Sequence, residues 1–247
     1  MNNFVLFFIT GQSNTQGTNS CVNLHDQRDH VDSRILSWNI YEHKWEIANL
    51  ASVIGTKPAN NQCFAFHFAK EYLKQYPYMK VGLIVYGSPN TSINHWVPPN
   101  VHLPPSNDIF KKDIGNVFVD TVNVISEAIK AAGRNYLDGV LWHQGEADFM
   151  ETYEYYYYRI KHVIFMYRHY FSHPTKGLPF IVGELLSYTY FGKQNVILRA
   201  LQNEDQLTRC ASLFGLEHAP GDPLHLSTEG NRLMGQRYFN EYKMLFN

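Results

Sequence analysis

The chain has 247 residues, is 45% hydrophobic and 17% charged, and carries a formal net charge of -1. Such a chain buries a large core, which suits one globular domain over residues 1–247 and excludes a disordered polymer. A near-neutral balance with scattered lysines and arginines gives no ground for nucleic acid or an anionic membrane surface as a partner.

The first predicted element is a strand, Phe4-Val5-Leu6-Phe7-Phe8-Ile9, whose unbroken apolar run reads as buried on both faces. It ends abruptly in Gly11-Gln12-Ser13-Asn14, residues that suit a tight turn. From Thr15 to about Pro58 periodicity is weak. Ile35-Leu36-Ser37-Trp38 and Lys44-Trp45-Glu46-Ile47 are candidate short strands, placed as an excursion over one sheet edge. From Asn61 the spacing of Phe64, Phe68 and Tyr72 predicts an amphipathic helix that Pro77 stops. Val81 to Tyr86 is a second buried strand, closed by Gly87-Ser88-Pro89-Asn90, and the Pro-rich stretch Pro98–Pro105 is loop.

A helix with Val117, Thr121, Val124, Ala128 and Ala131 on one face follows and closes near Gly133. Tyr136–Trp142 is a third strand, running into His143-Gln144-Gly145-Glu146. The next helix is long, with Tyr153, Tyr156, Tyr157, Ile160, Val163, Ile164, Tyr167 and Tyr170 at three-and-four spacing. Its run Tyr155-Tyr156-Tyr157-Tyr158 reads as helix packing on the sheet rather than as a carbohydrate platform. Pro179–Leu185 is a fourth strand, Asn195–Arg209 a helix, and Ser212-Leu213-Phe214 a short strand. A last helix has Met234, Tyr238, Tyr242 and Leu245 inside and Ser227 as its N-cap. Strands and helices alternate about five times, which predicts a three-layer α/β/α sandwich on a mainly parallel, roughly five-stranded sheet.

Cys21, Cys63 and Cys210 form neither a CxxC pair nor a metal spacing, and read as buried reduced thiols. The N-terminal apolar run lacks a basic segment before it and leads straight into the serine turn, so it does not read as a signal peptide. A soluble, cytoplasmic protein is the default expectation, with export left open. No apolar run approaches the ~18–20 residues of a spanning helix.

Polar, turn-like clusters follow three predicted strands, at Gly11–Asn14, Gly87–Asn94 and His143–Asp148. A fourth, Gly221-Asp222-Pro223-Leu224-His225-Leu226-Ser227, precedes the last helix. Strand ends of a parallel sheet share one rim, where open α/β sheets bind ligands. Ser13 is therefore a candidate nucleophile, although Gln12, Ser13 and Asn14 also suit a plain turn or cap. A serine needs a base, and the base needs a partner that fixes its tautomer. The three-residue offset between Asp222 and His225 lets the carboxylate reach Nδ1 and leaves Nε2 for Ser13; a loop cap and a packed histidine are the structural alternative. Acyl transfer also needs oxyanion donors. The Ser13 N–H, the Gln144 side-chain amide and a backbone N–H around Asn90 are the candidates.

Gly11-Gln12-Ser13-Asn14, Trp142-His143-Gln144-Gly145-Glu146-Ala147-Asp148 and Asp222-Pro223-Leu224-His225 resemble three blocks of the SGNH/GDSL hydrolase superfamily. They are closest to its sialate O-acetylesterase-like branch, which includes the acetylxylan esterases of the sixth carbohydrate esterase family. Thr91-Ser92-Ile93-Asn94-His95-Trp96 is similar to a further segment of that branch. The resemblance implies Ser13 as nucleophile, His225 as general base and then acid, Asp222 as orienting carboxylate, and Ser13, Gln144 and Asn90 around the oxyanion. Glu146 would support the site or share the acid role with Asp222, with Gln12 also in support. One departure stands out: the branch carries Gly-Gly where this chain has Pro89-Asn90. Asn is the best non-glycine residue for positive φ, whereas proline offers no N–H.

A serine esterase removing O-acetyl groups from a sugar is the expectation, with an acetylated carbohydrate or another small ester as substrate. No cofactor and no metal is implied, since His143 and Glu146 lack HExxH or paired-histidine spacing. A glycan-binding module with little turnover, and a lipase or thioesterase on the same scaffold, stay open as alternatives.

Overall fold

The computed structural model describes residues 3–20, 23, 25–48, 63–99, 116–186 and 188–246. Cys21, the predicted helix start at Asn61 and positions 100–105 of the predicted Pro-rich loop lie outside the described residues. Strand β1 (Phe4–Gly11) is buried from Val5 onward. Its alternating side chains feed two separate cores. Leu6 and Phe8 face one, and Val5, Phe7 and Ile9 face the other, as a strand covered on both faces requires.

Among the described residues seven strands form one sheet, in the order β3-β2-β4-β1-β5-β6-β7. The others are β2 (Ile35–Asn39), β3 (Lys44–Ile47), β4 (Lys80–Gly87), β5 (Gly139–His143), β6 (Phe180–Gly183) and β7 (Thr208–Ala211). Every pairing is parallel except β2 with β3. The expectation of roughly five strands is therefore corrected to seven. The segment expected to pass over the edge joins the sheet instead, with Ile35, Leu36 and Ser37 in register with Val81, Gly82 and Leu83. Trp38 and Trp45 close that edge with an edge-on ring contact at 5.5 Å, a cross-strand pairing that favours strand over loop.

Helices α1 (Phe64–Gln75) and α5 (Thr228–Met244) cover one face of the sheet; α2 (Val117–Ala131), α3 (Tyr153–Phe171) and α4 (Tyr188–Glu204) cover the other. The Ser227 hydroxyl accepts from Gly230 N–H at 3.0 Å and starts α5 as its N-cap, a contribution of about 1 kcal/mol. Tyr155 and Tyr156 are buried in the helix–sheet interface while Tyr158 faces solvent, so the tyrosine run follows helical periodicity. The helix expected over Asn195–Arg209 begins earlier and ends at Glu204. There Asp205 accepts the Leu207 N–H at 2.9 Å, turning the chain into β7 a few residues ahead of the predicted strand. Among the described residues no helix is long and apolar enough to cross a membrane.

Candidate active site

The order of the strands decides where a site forms. β1 is central, the chain reaches β4 on one side of it and β5 on the other, and that reversal opens a crevice at the carboxyl ends. The three ends are level, because Gly11 is in register with both Gly87 and His143. Pairing continues into the turn, with Gln12 N–H donating to His143 O at 3.0 Å and Ser88 N–H to Gly11 O at 2.8 Å. Gly11 has φ +147°, and a Cβ there would stand 1.8 Å from the His143 carbonyl oxygen. Only glycine lets β1 end this close to β5.

Ser13 opens a 3-10 turn, Ser13–Gln16, directly beyond that glycine. Its Oγ lies 2.8 Å from His225 Nε2, and His225 Nδ1 lies 2.6 Å from Asp222 Oδ2. Asp222 also accepts the backbone N–H of Leu224 at 2.8 Å and of His225 at 3.2 Å, and the Asn19 amide donates to it. Burial opposes ionisation of Asp222, but the Leu224 N–H, His225 and Asn19 outweigh it and hold the carboxyl at about 2. The carboxylate is thus charged at any ordinary pH, fixed on Nδ1, and leaves Nε2 facing the hydroxyl. A serine, a base and an orienting carboxylate in this relation can deprotonate the hydroxyl and return the proton to a leaving group.

Behind the serine, Asn14 ties three loops together. Its Nδ2 donates to Glu146 Oε1 and to Leu224 O, both at 3.0 Å, and its Oδ1 accepts Leu226 N–H at 3.1 Å. The last two bonds flank His225. Glu146, with 12% of its side chain exposed, lies 3.4 Å from His143 Nε2. Burial raises its pKa, yet the His143 imidazole, the Asn14 amide and its own backbone N–H prevail and keep it below the usual value. Glu146 therefore belongs to the frame behind Ser13, and among the described residues Asp222 is the carboxylate that reaches His225 Nδ1.

Gln144 is not where the resemblance puts it. Its side chain is wholly buried, and Nε2 donates to Thr91 O at 3.0 Å and Asp148 Oδ2 at 2.5 Å. The oxyanion role expected of Gln144 is corrected on this geometry, because both amide protons are already spent away from the cleft. Gln12 occupies the better position. Its Oε1 accepts from Gly145 N–H at 3.0 Å and Ala147 N–H at 3.4 Å, and the residue lines the cleft beside Ser13. The oxygen end of this side-chain amide is thus held by the turn after β5. Asn90 has φ +58°, so the residue replacing glycine takes the left-handed conformation expected of it, and it also lines the cleft.

The cleft encloses about 440 Å³ and includes Gln12, Ser13, Asn90, Glu146 and His225, with an aromatic and apolar side formed chiefly by Phe149, Tyr190, Phe191, Pro223 and Leu224. Among the described residues no group of three or more His, Cys, Asp or Glu side chains is arranged to hold a metal ion. Cys63 and Cys210 are buried, and burial pushes the Cys63 thiol up to about 12 and the Cys210 thiol upward as well.

A family model described as carbohydrate esterase, sialic acid-specific acetylesterase, matches residues 3–244. The chain belongs to that family. As one of these carbohydrate esterases it is a carboxylic ester hydrolase. Solved structures agree on the fold. A protein from Arabidopsis thaliana is 22% identical with a TM-score of 0.75, each chain being covered completely. NanS is 14% identical with a TM-score of 0.71, over 98% of this chain and 97% of its own. A carbohydrate acetylesterase from Xanthomonas citri is 15% identical with a TM-score of 0.69, over 98% of this chain and 56% of its own. No curated protein matches.

Several residues of the candidate site carry no separate signal in the sequence. Asn14 and Asp148 lie inside conspicuous motifs, but their roles are tethers: both Asp148 oxygens accept the Ile93 N–H at 3.0 Å, fixing the segment after β4 to the turn after β5. Asn19 is one polar residue in a turn, and Tyr190 and Phe191 precede the point where helical periodicity becomes readable.

Proposed function

We propose that this esterase removes O-acetyl groups from an acetylated carbohydrate by acyl transfer through Ser13. The observation that carries the reading is the continuous relay Ser13 Oγ, His225, Asp222, closed by contacts of 2.8 and 2.6 Å. His225 Nε2 takes the Ser13 proton as Oγ adds to the ester carbonyl. The resulting tetrahedral oxyanion is received by the Ser13 N–H, the Gln12 side-chain amide and the backbone N–H of Asn90. His225 then gives its proton to the departing sugar oxygen, the C–O bond breaks, and acetyl stays on Oγ. Water adds next, with His225 again as base, and acetate leaves. Asp222 stays ionised throughout and stabilises the imidazolium formed in each half.

The Ser13 N–H is the first donor of its turn, unused within the helix as such N–H groups are. Each oxyanion donor is worth about a hundredfold or more in rate. The test is hydrolysis of 4-nitrophenyl acetate by the wild type and by Ser13→Ala, with labelling by a fluorophosphonate probe. Ser13→Ala is expected to lose on the order of a thousandfold or more in kcat and all labelling. Equal rates in the two proteins would refute the mechanism.

A further inference from the structure

The cleft has two unlike sides. Gln12 and Asn90 line it beside Ser13, while Phe149 and Tyr190 line the aromatic side. Tyr190 is 63% exposed although its neighbour Phe191 is only 3% exposed. The backbone explains the contrast. Phe191 sits inside α4 with φ -108° and ψ 20°, values outside a regular helix, and its ring is anchored in the core under the sheet. The kink holds the preceding ring out at the mouth of the cleft.

An exposed aromatic ring held in place, opposite hydrogen-bonding groups, fits one kind of ligand well. A pyranose has a C–H face that packs on an aromatic ring and a rim of hydroxyls that needs donors and acceptors. An amphipathic residue such as tyrosine serves where one side of the contact is apolar and the other wet. Charge narrows the class further. Glu146, behind Ser13, and Asp222, behind His225, are both carboxylates held ionised by their neighbours. Among the described residues that line the cleft, none is lysine or arginine. A substrate with its own carboxylate would add a like charge to this site, which opposes binding.

We infer that Tyr190 is the stacking platform for the ring of a neutral acetylated pyranose and sets specificity for it over an acidic sugar. This rests on the esterase reading above and names its substrate class. Tyr190 is a binding residue, so its loss acts on KM for ring-bearing substrates and leaves the chemistry of Ser13 alone.

The test compares a mono-O-acetylated methyl pyranoside, an O-acetylated sialic acid and vinyl acetate, which has no ring. Tyr190→Ala is expected to raise KM for the pyranoside about tenfold with kcat within about twofold, an effect of the size of one good aromatic contact. Tyr190→Phe keeps wild-type KM, and vinyl acetate hydrolysis is the same in all three proteins. The wild type prefers the pyranoside to the sialic acid ester in kcat/KM. An unchanged KM in Tyr190→Ala, or an equal loss on vinyl acetate, overturns the platform. Preference for the sialic acid ester overturns the neutral class. Ser13→Ala run on vinyl acetate separates the two readings. Wild-type turnover lost in Ser13→Ala supports the nucleophile whatever Tyr190 does, and a wild type inert on all three esters overturns both.

Discussion

Asn14→Ala is the substitution that best tests how the site is held. Asn14 is 1% exposed and makes three hydrogen bonds, to Glu146, Leu224 and Leu226. Alanine leaves the buried Leu226 N–H without its acceptor and takes a donor from an ionised, nearly buried carboxylate. Each orphaned group costs about 1–3 kcal/mol, and the lost bond to Leu224 O about 1 kcal/mol more. About 3–7 kcal/mol is the expected total, a large share of the ~5–15 kcal/mol by which a folded protein is stable. Urea denaturation followed by circular dichroism reads the loss. Two of the three bonds bracket His225, so kcat falls by about a hundredfold in addition while KM changes little, because the base is no longer fixed against Ser13. Asn14→Asp sharpens the test. It keeps an acceptor for Leu226 N–H but sets a second carboxylate beside Glu146. Two carboxylates that close cannot both ionise cheaply, so the pair takes a raised pKa. The destabilisation is then full at pH 8 and shrinks as pH falls toward 5 and the pair takes up a proton. A loss below about 1 kcal/mol in Asn14→Ala with wild-type kcat would refute the tether.

Asp222→Asn is expected to lower kcat by about a thousandfold or more, since the amide no longer enforces the tautomer that frees Nε2; activity within tenfold of wild type would contradict the relay. The Asp222 pKa of about 2 lies below the ordinary 3.8, so its contribution to stability is present above about pH 4 and is lost as pH falls from there to about 2. Melting temperatures of wild type and Asp222→Asn should therefore differ most above pH 4 and converge below it. Gly11→Ala should cost at least about 3 kcal/mol in chemical denaturation, as its Cβ meets a strand carbonyl that cannot move without breaking β5. Gly221→Ala, also at positive φ but with open space around the Cβ, should cost only about 1–2 kcal/mol. Similar losses at both glycines would show that packing at Gly11 is not what limits it.

The parts of the fold that could be read from the chain were those where local chemistry and tertiary context agree. β1, β4 and β5 are apolar throughout because both faces are covered, and their Gly, Ser, Asn and Gln stops mark the rim. The Ser227 cap and the three-and-four spacing of α3 are equally local. β2 and β3 were legible as strands but not as members of the sheet. Their partners lie far along the chain, and register between β2 and β4 is a tertiary fact. The start of α4 was hidden for another reason: a helix kinked at Phe191 and turned toward a cleft shows no clean apolar stripe there.

The site shows the same division, and Gln144 marks its boundary. A motif says which residue types meet, not which way each amide points. Gln12 adjoins Ser13 in the sequence and Gln144 lies in the motif after β5; the resemblance gives the donor role to Gln144 and a supporting role to Gln12. What separates them is the partner of each end. Asp148 and Thr91 O compete for the Gln144 amide inside the protein, where donors left unpaired are costly. The Gly145 and Ala147 N–H groups instead donate to the oxygen of Gln12, a residue that lines the cleft. The polar residues of the three loops thus do two jobs, and burial sorts them. Gln144, Asp148 and Asn14 are spent on holding β1, β4 and β5 level. Ser13, Asn90 and His225 are less enclosed, and together with the buried Gln12 they line the cleft. The Pro89-Asn90 departure fits that sorting, because the left-handed turn a glycine would make is kept while the position stays on the cleft.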